Sequence, residues 1–233
     1  MNISQHCQSL LITGVDTGVG KTMITRALWS YAHRYRPQER WGILKPMQSG
    51  TAVEIGDGDY YCQTLPLEQT PREVCPLSFG APLAPPIAAQ LENRRIDLAP
   101  IWQTYQQLQE RFDYLLVEGI GGLGSPITWE WTVADLAAAW QLPIVLVATV
   151  RLGAIAQIVA NIALARQYQL AIRGLILNCV TPCSDAEIEQ WTPPDFLSHF
   201  TQVPVLGVLP YGQPSNEHLA EVVAEWPLHL LWR

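Results

Sequence analysis

The chain has 233 residues, 48% of them hydrophobic and only 15% charged, which suits a large filled core and excludes a disordered chain. Its formal net charge is −7, and its densest basic cluster is Arg34, Arg36 and Arg40. Without a basic stripe to neutralise phosphates, nucleic acid is excluded as a partner.

In chain order, Ser9 to Thr13 predicts a buried strand, followed by a Gly-rich turn and a helix from about Thr22 to Tyr35. Trp41 to Leu44 predicts a second short strand. The stretch from Gln48 to Pro86 is rich in Gly and Pro and weakly periodic, so it is expected to be a long functional loop with a short helix. Leu98 to Arg111 predicts a helix, and Tyr114 to Val117 a strand ending on Glu118 with a glycine loop after it. Thr132 to Trp140 predicts a helix capped by Thr132, with Asp135 three residues on. Ile144 to Val150 predicts a buried strand and Ala154 to Tyr168 an apolar helix. Gly174 to Leu177 and Val205 to Leu209 complete the strands. This alternation predicts a single α/β domain over residues 1–233, a parallel sheet of P-loop NTPase type with helices on both faces. Ligands of such sheets sit at the carboxyl ends of the strands.

No membrane span is expected, because the most apolar stretch, from Leu142 to Ala165, is interrupted by Pro143, Arg151 and Gly153. No charged segment followed by a long apolar one opens the chain, so no signal peptide is expected. The five cysteines Cys7, Cys62, Cys75, Cys179 and Cys183 fit no disulfide framework and no zinc site. They are expected to be reduced, in line with a cytoplasmic setting.

Gly14 to Thr22 reads Gly-Val-Asp-Thr-Gly-Val-Gly-Lys-Thr, placed between a strand and a helix. Such a loop turns backbone N–H groups inward to cradle phosphates, and the helix N-terminus adds partial positive charge. Lys21 is expected at the β- and γ-phosphates of ATP and the Thr22 hydroxyl on Mg²⁺. The spacing is one residue longer than the standard phosphate-loop pattern. Partitioning and cell-division ATPases share that variant but carry a lysine where this chain has Asp16, which argues against a regulatory P-loop ATPase.

Only two of the 14 basic residues are lysines, Lys21 and Lys45. A compact ammonium kept in a chain that otherwise uses Arg points to a phosphate or a reacting centre. Lys45 closes a strand and precedes Pro46, so its ammonium is expected to project toward the γ-phosphate. Glu118 ends a strand, where P-loop enzymes place an acid for Mg²⁺. Asp57 and Asp59 are expected as flexible-loop carboxylates, either of which could complete the metal site.

Taken in order, these segments resemble the dethiobiotin synthetase family. The matches are Gly14 to Thr22, Leu44-Lys45-Pro46-Met-Gln-Ser49-Gly50, Val117-Glu118-Gly119-Ile120-Gly121-Gly122, Asn178-Cys179-Val-Thr-Pro182, and Gly207-Val-Leu209-Pro210. The resemblance implies that Thr17, Gly18, Val19, Gly20, Lys21 and Thr22 bind the nucleotide, together with Glu118, Gly119, Ile120 and Gly121. It implies that Thr22, Asp57 and Glu118 hold Mg²⁺ and that Lys45 is the active-site lysine. Asn178, Cys179, Leu209, Pro210 and Tyr211 would border the base. Ser49 and Thr17 would contact the substrate. Leu152 and Gly153 would help bind its carboxylate across a homodimer interface. The implied reaction is ring closure on 7,8-diaminononanoate with carbon dioxide and ATP, through a carbamate and a carbamic–phosphoric anhydride. Two departures stand out. Ala84-Pro85-Pro86 replaces a frequent Ser-Pro-His, and Ile120 stands where Ala is common. An amidoligase of the cobyrinic-acid amidase type is the nearest enzyme rival, but it requires a glutaminase domain with a cysteine nucleophile.

Overall fold

The computed structural model describes residues 7–212 and 214–232. In chain order the elements are β1 (Gln8–Gly14), α1 (Lys21–Tyr35), β2 (Trp41–Leu44), β3 (Gln48–Ser49), α2 (Asp57–Thr64), α3 (Pro71–Val74), β4 (Ser78–Phe79), α4 (Pro85–Leu91), α5 (Ala99–Arg111), β5 (Tyr114–Gly122), α6 (Val133–Ala139), β6 (Ile144–Thr149), α7 (Ala154–Gln167), β7 (Ile172–Asn178), α8 (Asp185–Trp191), α9 (Pro194–Thr201), β8 (Val205–Leu209) and α10 (Asn216–Ala224). A 3-10 turn, Leu228–Leu230, follows.

Six strands pair in the order β2-β5-β1-β6-β7-β8, and every pairing is parallel. All six residues of β6 are buried, so side chains on both faces of the sheet are covered. That is the reason its sequence reads as a continuous apolar run instead of an alternation. Helices flank the sheet; α1 packs on β1, β2, β5 and α10. At the edge, β2 is shielded by one side chain: Gln69 accepts from the Ile43 amide and donates to the Ile43 carbonyl, both at 2.8 Å. A carboxamide thereby takes the part of a neighbouring strand.

The α/β reading is confirmed, with three local corrections. The stretch from Gln48 to Pro86 is not a loop with one short helix. It holds the two-residue ladder β3–β4, the helices α2 and α3, and the start of α4. Pro71 at N1 and a reciprocal Thr70–Glu73 capping box start α3, which is how so short a helix forms. Second, the segment after Glu118 is not a loop: β5 runs on to Gly122, past an irregularity, with Ile12 opposite Glu118 and Gly14 opposite Gly122. A Cβ on Gly122 would come within 3.1 Å of the Val15 carbonyl, so glycine is what lets the ladder continue beside the phosphate loop. Third, Cys179 and Cys183 are not separate thiols but form a disulfide. The turn after β7 brings their Cα atoms to 6.4 Å, inside the range a disulfide can span. Cys7, Cys62 and Cys75 are free. Among the described residues no helix is long and apolar enough to cross a membrane.

Candidate active site

The carboxyl ends of β1, β2, β5, β7 and β8 deliver most of the residues singled out in the sequence to one side of the sheet. The phosphate loop leaves β1 at Gly14 and enters α1 at Lys21. Gly20 caps α1 with φ +86°, a left-handed conformation that favours glycine, and a Cβ there would collide with the Asn178 carboxamide. That carboxamide closes β7 and donates to the Val19 carbonyl at 2.9 Å. The end of β7 is thus fastened directly to the phosphate loop. Lys21 lies along the loop, its ammonium 3.3 Å from the Asp16 carbonyl. Burial holds its pKa down to about 8, and Lys45 adds to that while Glu118, Asp57 and Asp16 oppose it. Thr17 is exposed, near Gly121 across the loop.

At this loop the side chains of Lys45, Asp57, Glu118 and Tyr61 converge with that of Thr22. Lys45 follows β2, and its ammonium lies 2.5 Å from Asp57 Oδ2 and 2.7 Å from Glu118 Oε1. The Thr22 hydroxyl donates to the same Glu118 Oε1 at 2.9 Å. Tyr61, wholly buried on α2, donates its hydroxyl to Glu118 Oε2. Burial opposes the charge on Lys45, yet Glu118 and Asp57 outweigh it and raise the ammonium's pKa. Burial likewise works against ionised Glu118, but Lys45 and the hydrogen bonds from Lys45 and Tyr61 hold it below the usual range. Burial pushes Asp57 up, with Lys45 opposing. The Tyr61 phenol is pushed well above its ordinary value by burial and by Glu118, so it remains a donor.

The Lys45 ammonium is drawn in between buried Glu118 and half-buried Asp57, because a buried charge needs a partner. One expectation changes here. Asp57 is not on a flexible loop. It opens α2, whose first N–H is taken by Gln48 Oε1 at 2.6 Å. Asp57 reaches Lys45, whereas Asp59 is exposed.

The Lys45 ammonium lies between the Asp57 and Glu118 carboxylates, and the Thr22 hydroxyl is bonded to Glu118. One hydroxyl and two carboxylates beside a phosphate loop fit Mg²⁺, which keeps the remaining positions for water and phosphate. Nitrogen and sulfur ligands for a softer metal are not gathered: no cluster of three or more His, Cys, Asp or Glu able to hold a metal occurs among the described residues.

The other predicted residues stand around this cluster. Ser49, on β3, has a buried Oγ without a hydrogen-bond partner. Gly119, Ile120 and Gly121 continue β5 beyond Glu118. Leu209 pairs with Asn178, and its carbonyl accepts from the Cys179 amide at 2.9 Å. Pro210 and Tyr211 follow at the surface. Leu152 and Gly153 do not touch the cluster; Leu152 is 78% exposed and Gly153 caps α7. Their neighbour Arg151 donates to Gln157 at 2.7 Å, and Gln157 donates to Asp16 of the phosphate loop at 3.0 Å. Tyr61 is not legible in the sequence, because with Asp57 read as a loop residue nothing places the two on one helical face.

A family model described as an AAA domain matches residues 8–218. ParA-family ATPase from Chlorobium tepidum has a similar fold, with TM-score 0.54 and 13% identity over 98% of this chain and 95% of that one. The septum site-determining protein MinD complexed with Mg-ADP from Pyrococcus horikoshii gives TM-score 0.54 and 16% identity over 93% and 86%. Sequence relatives are much nearer. The ATP-dependent dethiobiotin synthetase BioD of Gloeothece citriformis is 46% identical over 90% of this chain and 91% of its own length. Its namesake from Crocosphaera subtropica is 45% identical over 96% and 99%, and that from Synechocystis sp. 43% over 96% and 94%. With identity of this order sustained over nearly the whole length of each partner, the chain belongs to the family of ATP-dependent dethiobiotin synthetases.

Proposed function

We propose that this enzyme closes the ureido ring of dethiobiotin from 7,8-diaminononanoate, carbon dioxide and ATP. The observation that carries the reading is the cluster of buried Lys45 and Glu118 with half-buried Asp57 and Thr22 at the phosphate loop. A loop that only held a nucleotide would not need a second, buried lysine paired with two carboxylates.

One amine of the substrate adds to carbon dioxide and loses a proton, giving a carbamate. A carbamate oxygen attacks the γ-phosphorus and ADP leaves. The second amine attacks the carbamoyl carbon of the resulting anhydride, the ring closes and phosphate departs. Phosphoryl transfer depends on positioning and charge neutralisation. Backbone N–H groups from Thr17 to Thr22, with Lys21, would cradle the phosphates. Thr22, Asp57 and Glu118 would hold Mg²⁺, which supplies positive charge at the phosphate oxygens. Lys45 would neutralise charge that gathers on the transferred group. Gly119, Ile120 and Gly121 would lie along the nucleotide, with Asn178, Cys179, Leu209, Pro210 and Tyr211 around the base. Ser49 Oγ, unpartnered in the fold, would meet the diamine, as would Thr17.

A homodimer through α7 belongs to the same reading. Ala156, Val159, Ala160 and Ala163 are exposed at helical spacing, giving α7 an apolar outer stripe opposite its buried one. The stripe begins beside Leu152 and Gly153, which would present the partner with a substrate-carboxylate contact. The proposed setting is the cytoplasm, which the free thiols of Cys7, Cys62 and Cys75 support and the Cys179–Cys183 disulfide does not, and residues 1–233 are taken as one domain.

The test is ATP consumption with diamine and bicarbonate together, with each omitted, and with Lys21→Ala in parallel. The expected result is turnover only with both co-substrates, and none in Lys21→Ala despite a native circular dichroism spectrum. ATP hydrolysis indifferent to the diamine would overturn the proposal.

A further inference from the structure

We propose that Tyr61 is a positioning residue for the divalent cation: its hydroxyl holds Glu118 Oε2, so that Oε1 is the oxygen turned to Thr22 and Lys45. The inference rests on the reading of Glu118 as a ligand of that cation.

The two oxygens of Glu118 face different neighbours. Oε1 receives the Thr22 hydroxyl at 2.9 Å and the Lys45 ammonium at 2.7 Å. Oε2 receives the Tyr61 hydroxyl. A phenol has a single proton to give. Its second neighbour, the Thr22 carbonyl, is neutral and lies at 3.3 Å, so the proton belongs with the carboxylate. Without that donor Oε2 would be a buried carboxylate oxygen with nothing to hold it, and the side chain could turn about its last bond. With it, the plane of the carboxylate is set and one oxygen is committed to the phosphate-loop side.

Tyr61 is itself fixed by α2. Asp57 and Tyr61 are four residues apart, hence on one face of the helix, and both point to the lysine–glutamate pair. The helix is anchored along its length. Gln48 takes the Asp57 amide, Arg26 donates to the Tyr60 hydroxyl at 3.3 Å, and Asn216 donates to the Thr64 carbonyl at 2.7 Å. At Gly58 the backbone packs so closely on Pro71 that a Cβ would collide. One docked helix therefore brings in a carboxylate and, one turn later, the donor that orients the other carboxylate. Partners of metal ligands typically cost ~10–100-fold in metal affinity when removed.

The experiment uses Mn²⁺ as the probe, with the free ion measured by electron paramagnetic resonance in the presence of ADP, for the wild type, Tyr61→Phe and Glu118→Gln. Tyr61→Phe should bind Mn²⁺ about 10-fold more weakly. Its ADP affinity in EDTA should be unchanged. In turnover, the Mg²⁺ concentration for half-maximal rate should rise while the rate at saturating Mg²⁺ largely recovers. A purely structural tyrosine would lower thermal stability and leave these metal readouts alone. If Glu118→Gln loses Mn²⁺ affinity and Tyr61→Phe does not, the proposal is overturned while the metal reading of Glu118 stands. If Glu118→Gln also binds Mn²⁺ normally, the metal reading itself has failed. Should Tyr61→Phe not fold, 3-fluorotyrosine at position 61 retains the hydroxyl. Its fluorine resonance should move when Mg²⁺ joins ADP, and an unmoved resonance overturns the proposal.

Discussion

Lys45 carries two duties that one substitution separates. Its buried ammonium neutralises buried Glu118 and half-buried Asp57, and in the proposed reaction it also meets the transferred phosphoryl group. Removing one partner of a buried ion pair costs about 3–5 kcal/mol, since the remaining charge stays desolvated. Lys45→Gln should therefore lower the melting temperature as well as cutting turnover by ~100-fold, the scale of losing one donor at a developing charge. Because Asp57 and Glu118 can take a cation in its place, added Mg²⁺ should restore part of the melting temperature but none of the turnover. Lys45→Arg should recover activity only in part, because a planar fork does not replace a point charge. Calorimetric melting with and without Mg²⁺, paired with steady-state rates, checks this. A Mg²⁺-insensitive melting temperature would show that the two carboxylates do not form a cation site. The sequence makes Lys45 legible through a strand end and Glu118 through an acid that closes an apolar run, although β5 continues past it. It could not give their contact, because partners 73 residues apart meet only through the β2–β5 pairing.

Elements with strong periodicity or clear caps were legible, and others were not, for physical reasons. Thr132 was read as a cap and is one: Thr132 Oγ1 accepts from the Asp135 amide, while Asp135 accepts from the Thr132 amide at 2.7 Å. Thr132→Ala should cost ~1 kcal/mol, seen as a melting temperature lower by roughly 2–4 °C. An unchanged melting curve would mean that packing alone holds α6. By contrast, α8 is hard to read because only Ile188 and Trp191 of its seven residues pack on the core, and both stay partly exposed. Its Ser184–Glu187 capping box was the signal that remained. α2 and α3 are eight and four residues long, too few turns for a period to declare itself. β3 and β4 are two-residue strands that exist only as a pair. The run from Gly119 to Gly122 reads as a loop because glycine is a strand breaker in isolation; here its small size admits the neighbouring backbone.

For the whole molecule, the α7 stripe predicts a dimer. Sedimentation equilibrium at micromolar concentration should give twice the chain mass. Ala160→Glu, which puts a charge in the middle of the stripe, should give the chain mass with an unchanged circular dichroism spectrum. A monomeric wild type would refute the assembly. The strand order has a further consequence, for biosynthesis. β5 separates the first two large-sheet strands made, β1 and β2, and Gln8 and Trp41 both find their partner in Tyr114. A nascent chain that has not yet reached Tyr114 can therefore complete neither ladder, and it holds two apolar strands with open edges until the third is threaded between them. Edges of that kind recruit other chains. The interval of translation between β2 and β5 is thus one in which a chaperone can protect this protein from its own copies.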